Sequence, residues 1–308
     1  MKLPNIHESP SRELAFGHIK GVWRDLGREA GTLTVGLRRI EVAAGHFSTP
    51  AHEHGGDEEV FFVLAGSGLL WEEGEKTYEV REGDCIVHRP LRGAHTLRAA
   101  EDGLDVLVFG ERRDPHLTAL PRIGMAWSFP RWVALAGGDS PFAREAAAGP
   151  PECPAPLPER PRNVVALADA PTVFGGAGRL LGKGAGARAT GLNHVTLPPG
   201  GQGAAPHCHS EEEEIFVVLD GDGTLRLWPR GGGPGDPGEH PLRAGDVVSR
   251  PAGTGIAHAL RAGDRGITYL AYGTRASGDM CFYPETGRVS LRGLGIALRS
   301  PEIEPLAQ

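Results

Sequence analysis

The 308-residue chain has few cysteines, and none of the four, Cys85, Cys153, Cys208 and Cys281, stands in a Cys-x-x-Cys pair. Neither a structural zinc knuckle nor a disulfide framework is suggested by thiols so widely separated, so buried or incidental thiols are expected. Also missing is any apolar run near the ~20 residues that a membrane-spanning helix needs. Met1–Pro10 has no apolar core of signal-peptide length, and the expectation is a soluble cytoplasmic protein with no membrane partner. There is no basic excess. The formal charge is -7 and the arginine pairs Arg38–Arg39 and Arg112–Arg113 are isolated, which argues against nucleic acid as a partner. No Gly-x-Ser-x-Gly elbow of a serine hydrolase occurs. Gly182–Lys183 lacks the following Ser or Thr and the spacing of a phosphate loop.

What the chain has in excess is glycine and proline, 46 and 26 residues, beside an apolar content of 40%. That combination reads as turns in a β-rich protein with packed cores. A chain of this length is expected to form two domains, and an internal repeat says the same. Gly36, Leu37, Gly45, His52, His54, Glu59 and Gly66 recur without a gap, at a constant offset of 155, as Gly191, Leu192, Gly200, His207, His209, Glu214 and Gly221. Each half then shows a Gly-Asp turn (Asp84, Asp246), an Arg-Pro pair, a further histidine in a Gly-containing turn (His95, His258) and a closing strand, Val106–Gly110 or Tyr269–Gly273. Short alternating segments between regular turn signals indicate an all-β barrel or sandwich, made twice. Between the halves, Ala136–Pro161 is packed with Pro, Gly and Ala and reads as an extended linker crossing the surface, with room for a short helix at Ala143–Ala148.

His207 and His209 stand at i and i+2, so on an extended strand both imidazoles project to the same side. Glu214 opens the next apolar alternation, after enough residues to turn the chain, and brings a carboxylate toward the same point. Neutral imidazole nitrogen and anionic oxygen are the ligands that transition metals of intermediate softness prefer. His52, His54 and Glu59 repeat the arrangement in the first half.

The pattern Gly201-x5-His207-x-His209-x4-Glu214-x6-Gly221, followed by Gly245-x5-Pro251-x-Gly253 and His258, resembles the two motifs of the cupin family, with two extra residues before the last histidine. The first half matches with Gly45 one residue further from His52 and Gly83 one residue further from Pro90. The resemblance covers both halves and implies an all-β bicupin: two tandem cupin barrels of the double-stranded β-helix or jelly-roll type. The expected layout is a domain over 1–135, the linker over 136–161 and a second domain over 162–308. It further implies one divalent transition metal per domain, Fe, Mn, Ni, Co or Zn. The ligands would be His52, His54, Glu59 and His95 in one site and His207, His209, Glu214 and His258 in the other.

Bland readings compete with some of these assignments. In the run Glu211–Glu214, Glu211 and Glu212 read as a solvated turn and Glu213 is the nearest rival to Glu214. Glu214 is preferred because alternation puts it in phase with Phe216 and Val218, as Glu59 is with Phe61 and Val63. Cys208, between two ligands, is sent to the opposite face by the same alternation. Asp84 and Asp246 read as turn residues whose carboxylates bond nearby amides. Gln202, Arg39 and Trp228 are candidate groups for orienting a ligand. Four ligands leave one or two open positions on a five- or six-coordinate ion, the mark of a reactive rather than a closed site. The functional expectation is a metal-dependent oxidoreductase, dioxygenase-like, acting on a small organic acid or phenolic compound. The alternatives are a non-catalytic bicupin that binds metal, sugar or another small ligand, and a Lewis-acid isomerase. The expected partner is thus a small-molecule substrate, and a homo-oligomer of such two-barrel units is compatible with the sequence.

Overall fold

The computed structural model describes residues 3–112, 116–128, 131–134, 140–229 and 237–299. The Gly- and Pro-rich residues 230–236 lie outside them. Each half is built on two long antiparallel strands, Glu59–Glu72 with His95–Glu111 and Glu214–Leu227 with His258–Thr274. These carry the eight- and seven-stranded sheets of the first and second halves. Each half adds a four-stranded sheet, running through Glu53–His54, Leu117–Leu120, Met125–Ser128 and Arg131–Ala134, or through Cys208–His209, Met280–Tyr283, Arg288–Leu291 and Ile296–Arg299. The result is the expected pair of jelly rolls.

The long strands have to bend to wall a barrel, and they do so at the repeated glycine. Register shifts flank Gly66 and Gly221, each with φ +81. A Cβ on Gly66 would stand 2.3 Å from the Gly103 carbonyl oxygen, and one on Gly221 would stand 2.1 Å from that of Gly266. Both the left-handed backbone and the close strand approach therefore require glycine there, as in a β-bulge.

Alternation along these strands builds two kinds of core. Phe61 and Val63 face inward with Ile40, Val42, Leu70, Leu97 and Val106, and Phe216 and Val218 do the same with Leu225, Leu260 and Tyr269. The intervening residues Val60, Phe62, Ile215 and Val217 face outward into a single cluster shared by both halves, with Leu26, Leu37, Leu107, Leu181 and Leu192. At its centre the rings of Phe109 and Tyr272 stack with centroids 5.0 Å apart. The barrels are thus joined by an apolar core.

Two buried glutamates fasten that joint reciprocally. Glu58 accepts hydrogen bonds from the backbone N–H of Arg188 (2.7 Å), Ala189 (3.0 Å) and Thr190 (3.0 Å) and from the Thr190 hydroxyl (2.9 Å). Glu213 accepts from the N–H of Leu33 (2.8 Å), Thr34 (2.5 Å) and Val35 (3.0 Å) and from the Thr34 hydroxyl (2.7 Å). Each carboxylate is 1% exposed and tolerates burial because its charge is matched by several donors at once. Glu213 is therefore an interdomain residue, which removes it as a rival to Glu214.

The barrels also exchange their leading segments. Residues 4–6 pair with the second barrel, through Val247 N–H to the Pro4 carbonyl (2.9 Å) and Ile6 N–H to the Gly245 carbonyl (2.8 Å). Val164–Ala166 pairs with Asp84–His88 of the first. Asp84 and Asp246 make the expected turn bonds, to the N–H of Arg81 and Arg243 at 2.9 Å each. They also hold the exchanged segments, Asp84 through Arg160 (2.7 Å) and Asp246 through Asn5 (3.0 Å). The proline-rich connection lies on the first barrel, with Trp71 Nε1 donating to the Glu152 carbonyl and Leu157 N–H to the Thr77 carbonyl, both at 2.9 Å. It contains the expected short helix, at Pro141–Ala148.

Replacing Glu213 by Ala would leave the buried Val35 N–H, the part-buried N–H groups of Leu33 and Thr34 and the Thr34 hydroxyl without their acceptor, at about 1–3 kcal/mol for an unsatisfied buried group. Glu213→Ala is expected to lower the urea midpoint by the equivalent of about 1–3 kcal/mol, and Glu213→Gln, which keeps one acceptor oxygen, by less. An unchanged midpoint in Glu213→Ala would contradict the latch.

Candidate metal centres

In the first barrel Glu59 Oε2 lies 2.9 Å from His95 Nε2, 3.3 Å from His52 Nε2 and 3.6 Å from His54 Nε2. In the second, Glu214 Oε2 lies 3.0 Å from His258 Nε2, 3.7 Å from His207 Nε2 and 3.6 Å from His209 Nε2. All eight residues named from the sequence are brought together, four to a barrel. The first histidine of each pair bridges by its backbone to the last, His52 to His95 and His207 to His258. Each glutamate enters from the head of the long strand.

The ring orientations suit a cation. His52 Nδ1 donates to the Pro50 carbonyl (3.0 Å), His207 Nδ1 to the Ala205 carbonyl (2.8 Å) and His209 Nδ1 to the Asp279 carboxylate (2.7 Å). With the proton on Nδ1, the lone pair of each Nε2 faces the centre. Glu214 Oε2 and His258 Nε2 approach to 3.0 Å, yet neither has a hydrogen-bond partner among the described residues. His54 Nε2 is buried and unpartnered as well. Such atoms are costly to bury unless something satisfies them, and lone pairs converging on one point call for a positive ion. The residues fit a divalent metal ion in each barrel.

Burial sets the protonation. It pushes His95 and His258 down to about 4, against the attraction of the glutamate beside each, so both imidazoles are neutral at pH 7. It also works against Glu59 and Glu214, but the surrounding imidazoles outweigh it and hold both carboxyls well below the usual range.

Beyond the ligands the two centres differ. Asp279 orients His209 in the second barrel. In the first, the Thr118 hydroxyl lies 3.3 Å from His54 Nδ1 and 2.9 Å from His116 Nε2, while His116 Nδ1 meets the Asp57 carboxylate. Opposite Glu59 across the sheet stands His88, its ring stacked on His95 at 3.5 Å; opposite Glu214 stands Arg250. Tyr283 stacks on His207 at 5.7 Å. Cys281 lies close to His207 and His209, and burial pushes its thiol up to about 12. None of these neighbours is named by the ligand motifs. A signal for them is nonetheless present: Leu120-Pro121-x-x-Gly124 recurs as Tyr283-Pro284-x-x-Gly287 at the offset of 163 that separates His95 from His258, and this aligns His116 with Asp279.

Several expectations need correction. Glu212 is 5% exposed, not a solvated turn residue. It accepts from Arg292 at 2.5 Å, and burial, against that arginine, pushes its carboxyl up to about 7. Glu211 is exposed as expected. Arg39 does not face a centre. It pairs with Asp105 at 2.6 Å and donates to the Ile6 carbonyl at 2.9 Å, while Arg38, one residue away, shares the phase of the inward residues Ile40 and Val42. Trp228 packs with Cys208, Ala257 and Ala259, which also places the Cys208 side chain as expected. Gln202 bridges to Arg261 and makes no hydrogen bond to a ligand among the described residues.

The Cupin domain family matches twice, over residues 38–109 and 193–269, and each match contains one full ligand set. The chain is a two-domain cupin. No curated protein sequence matches it. Solved structures do match this bicupin. The formate complex of oxalate decarboxylase from Lactobacillus farciminis aligns with a TM-score of 0.61 at 16% identity, over 89% of this chain and 86% of that one. The oxalate decarboxylase of Bacillus subtilis, described with Mn(II) centres, aligns at 0.59 and 13%, over 89% and 78%. At such identities the likeness is one of fold.

Protein purified without chelator or nickel affinity is expected to hold close to two divalent ions per chain. Asp279→Ala should weaken the second ion by about 10- to 100-fold, the usual cost of losing a partner that orients a metal-bound histidine, and leave the first untouched. Competition with a chelator, followed by metal analysis, separates the two ions; their simultaneous release would contradict independent centres.

Proposed function

We propose that this bicupin is a metal-dependent enzyme that takes a small organic acid at its first centre and oxidises it with dioxygen. The observation that carries the reading is a cleft of about 190 Å³ reaching His54 and Glu59, with Arg38 and Arg112 in its wall. Arg38 Nε is taken by Asp25 at 2.7 Å, while its terminal nitrogens make no hydrogen bond among the described residues. A guanidinium fork free on one edge suits a carboxylate. The apolar side chains of Phe61 and Val63 lie in the same phase as Glu59 and favour an organic body on the acid.

A divalent ion held by the four ligands would supply Lewis-acid activation and, as iron or manganese, a redox partner for dioxygen. The chain's own part is to orient the acid through Arg38, to keep His95 neutral and to hold His52 through the Pro50 carbonyl. Loss of CO2 without oxygen is the second reading, and the oxalate decarboxylases among the fold relatives favour it.

Iron- or manganese-loaded protein should consume oxygen with a member of a panel of small aromatic and aliphatic acids. Arg38→Ala should raise KM about 10- to 100-fold, from the ~1.5–3 kcal/mol of a charged hydrogen bond, with a smaller effect on kcat. Equal CO2 release under argon would establish the decarboxylase reading instead, and tight binding of acids without any product would establish a binding protein.

A further inference from the structure

A second concentration of arginine lies away from both centres. A cavity of about 520 Å³ at the junction of the barrels is lined by Arg89, Arg92, Arg162 and Arg188, with His88 and Asn163. None of these four guanidinium groups has a hydrogen bond or carboxylate partner among the described residues. One acid, Glu72, shares the cavity, and it already accepts from Asn163 at 2.8 Å. In a chain of net charge -7, four uncompensated arginines against one engaged glutamate are a strongly positive local field, and concave walls concentrate it.

The cavity is also a constructed place. Arg89 and Arg92 come from the turn between Asp84–His88 and His95–Glu111, Arg162 from the end of the connection, and Arg188 from the turn before Thr190–Leu197. The backbone at Arg188 is pinned by Glu58, and that next to Arg162 by Asn163, whose carbonyl accepts from Val87 N–H at 2.9 Å. His88 belongs to the inner lining, with its side chain 8% exposed and its Nδ1 4.0 Å from the Glu72 carboxylate.

We infer that this interdomain cavity binds a small organic polyanion, a molecule with two or more carboxylate or phosphate groups. Its volume falls in the usual range for small-molecule sites, and guanidinium forks match both kinds of oxyanion. His88 lies at the buried inner end, and Arg92, Arg162 and Arg188 are exposed to an entering ligand. The site is separate from the metal ligands, none of which lines it.

The test is calorimetric titration of the metal-loaded full chain at low salt with two probes, tricarballylate and fructose 1,6-bisphosphate. One site per chain is expected for at least one of them, with metal content unchanged afterwards so that chelation is excluded; the probe that binds identifies the oxyanion. Arg162→Glu should weaken binding at least tenfold, and Arg261→Glu, the same change of charge at another exposed arginine, less than twofold. Arg188→Ala should weaken it several-fold, with an unaltered melting temperature showing that the fold is intact. No binding of either probe, or equal weakening by Arg162→Glu and Arg261→Glu, overturns the site.

Discussion

Two adjacent glutamates at the head of each long strand have to point in opposite directions, and much of this molecule follows from that constraint. In Glu58–Glu59 and in Glu213–Glu214 the pleat sends the second carboxylate into the barrel, among three imidazoles, and the first across to the other barrel's backbone. Neither could be buried alone. One is offset by imidazoles and the ion they can hold, the other by a fan of N–H groups. A shift of one residue in strand register would put each carboxylate on the wrong face, so the centre and the interdomain contact are fixed by the same pairing.

The same alternation explains how far the sequence could be read. The convergence of four side chains in each half, the jelly rolls and the inward positions of Phe61, Val63, Phe216 and Val218 were legible because they are periodic and repeated. Glu213 was ambiguous because its role needs a partner surface that no local pattern announces: its acceptor function exists only once Leu33–Val35 arrives from the other barrel. Arg38 and Arg39 were confused because neighbouring arginines carry no mark of phase unless Ile40 and Val42 are first assigned inward. Glu212 looked like part of a solvated run, since its burial depends on Arg292, eighty positions away.

The exchanged segments were illegible for a different reason. Pro4–Ile6 and Val164–Ala166 are too short to show a period, and each pairs with the barrel that its neighbours in sequence do not build. Their anchors, Asn5 on Asp246 and Arg160 on Asp84, use carboxylates that also close a turn. One Asp in each half thus ties turn geometry to interdomain attachment. With the shared core around Phe109 and Tyr272, these contacts make separate unfolding of either barrel costly, because it would expose the apolar face and strip the partner's carboxylate of its donors.

Duplication kept the ligands and the latches while the next layer diverged, and the divergence has an electrostatic direction. The position across the sheet from the ligand glutamate is His88 in one barrel and Arg250 in the other. Burial first, and then the electrostatic effect of the stacked His95, which opposes a second protonation beside it, hold His88 well below its ordinary value, so it leaves the charge of Glu59 to the other imidazoles and a metal ion. Arg250 is also lowered by burial, with Glu214 opposing the shift, but a guanidinium stays charged. Glu214 is therefore shared between a resident cation and any bound ion, and Arg250 repels that ion through a medium less polar than water. Glu59 has no such arginine opposite it, so the two candidate centres share their four residues but not the charge that faces the glutamate.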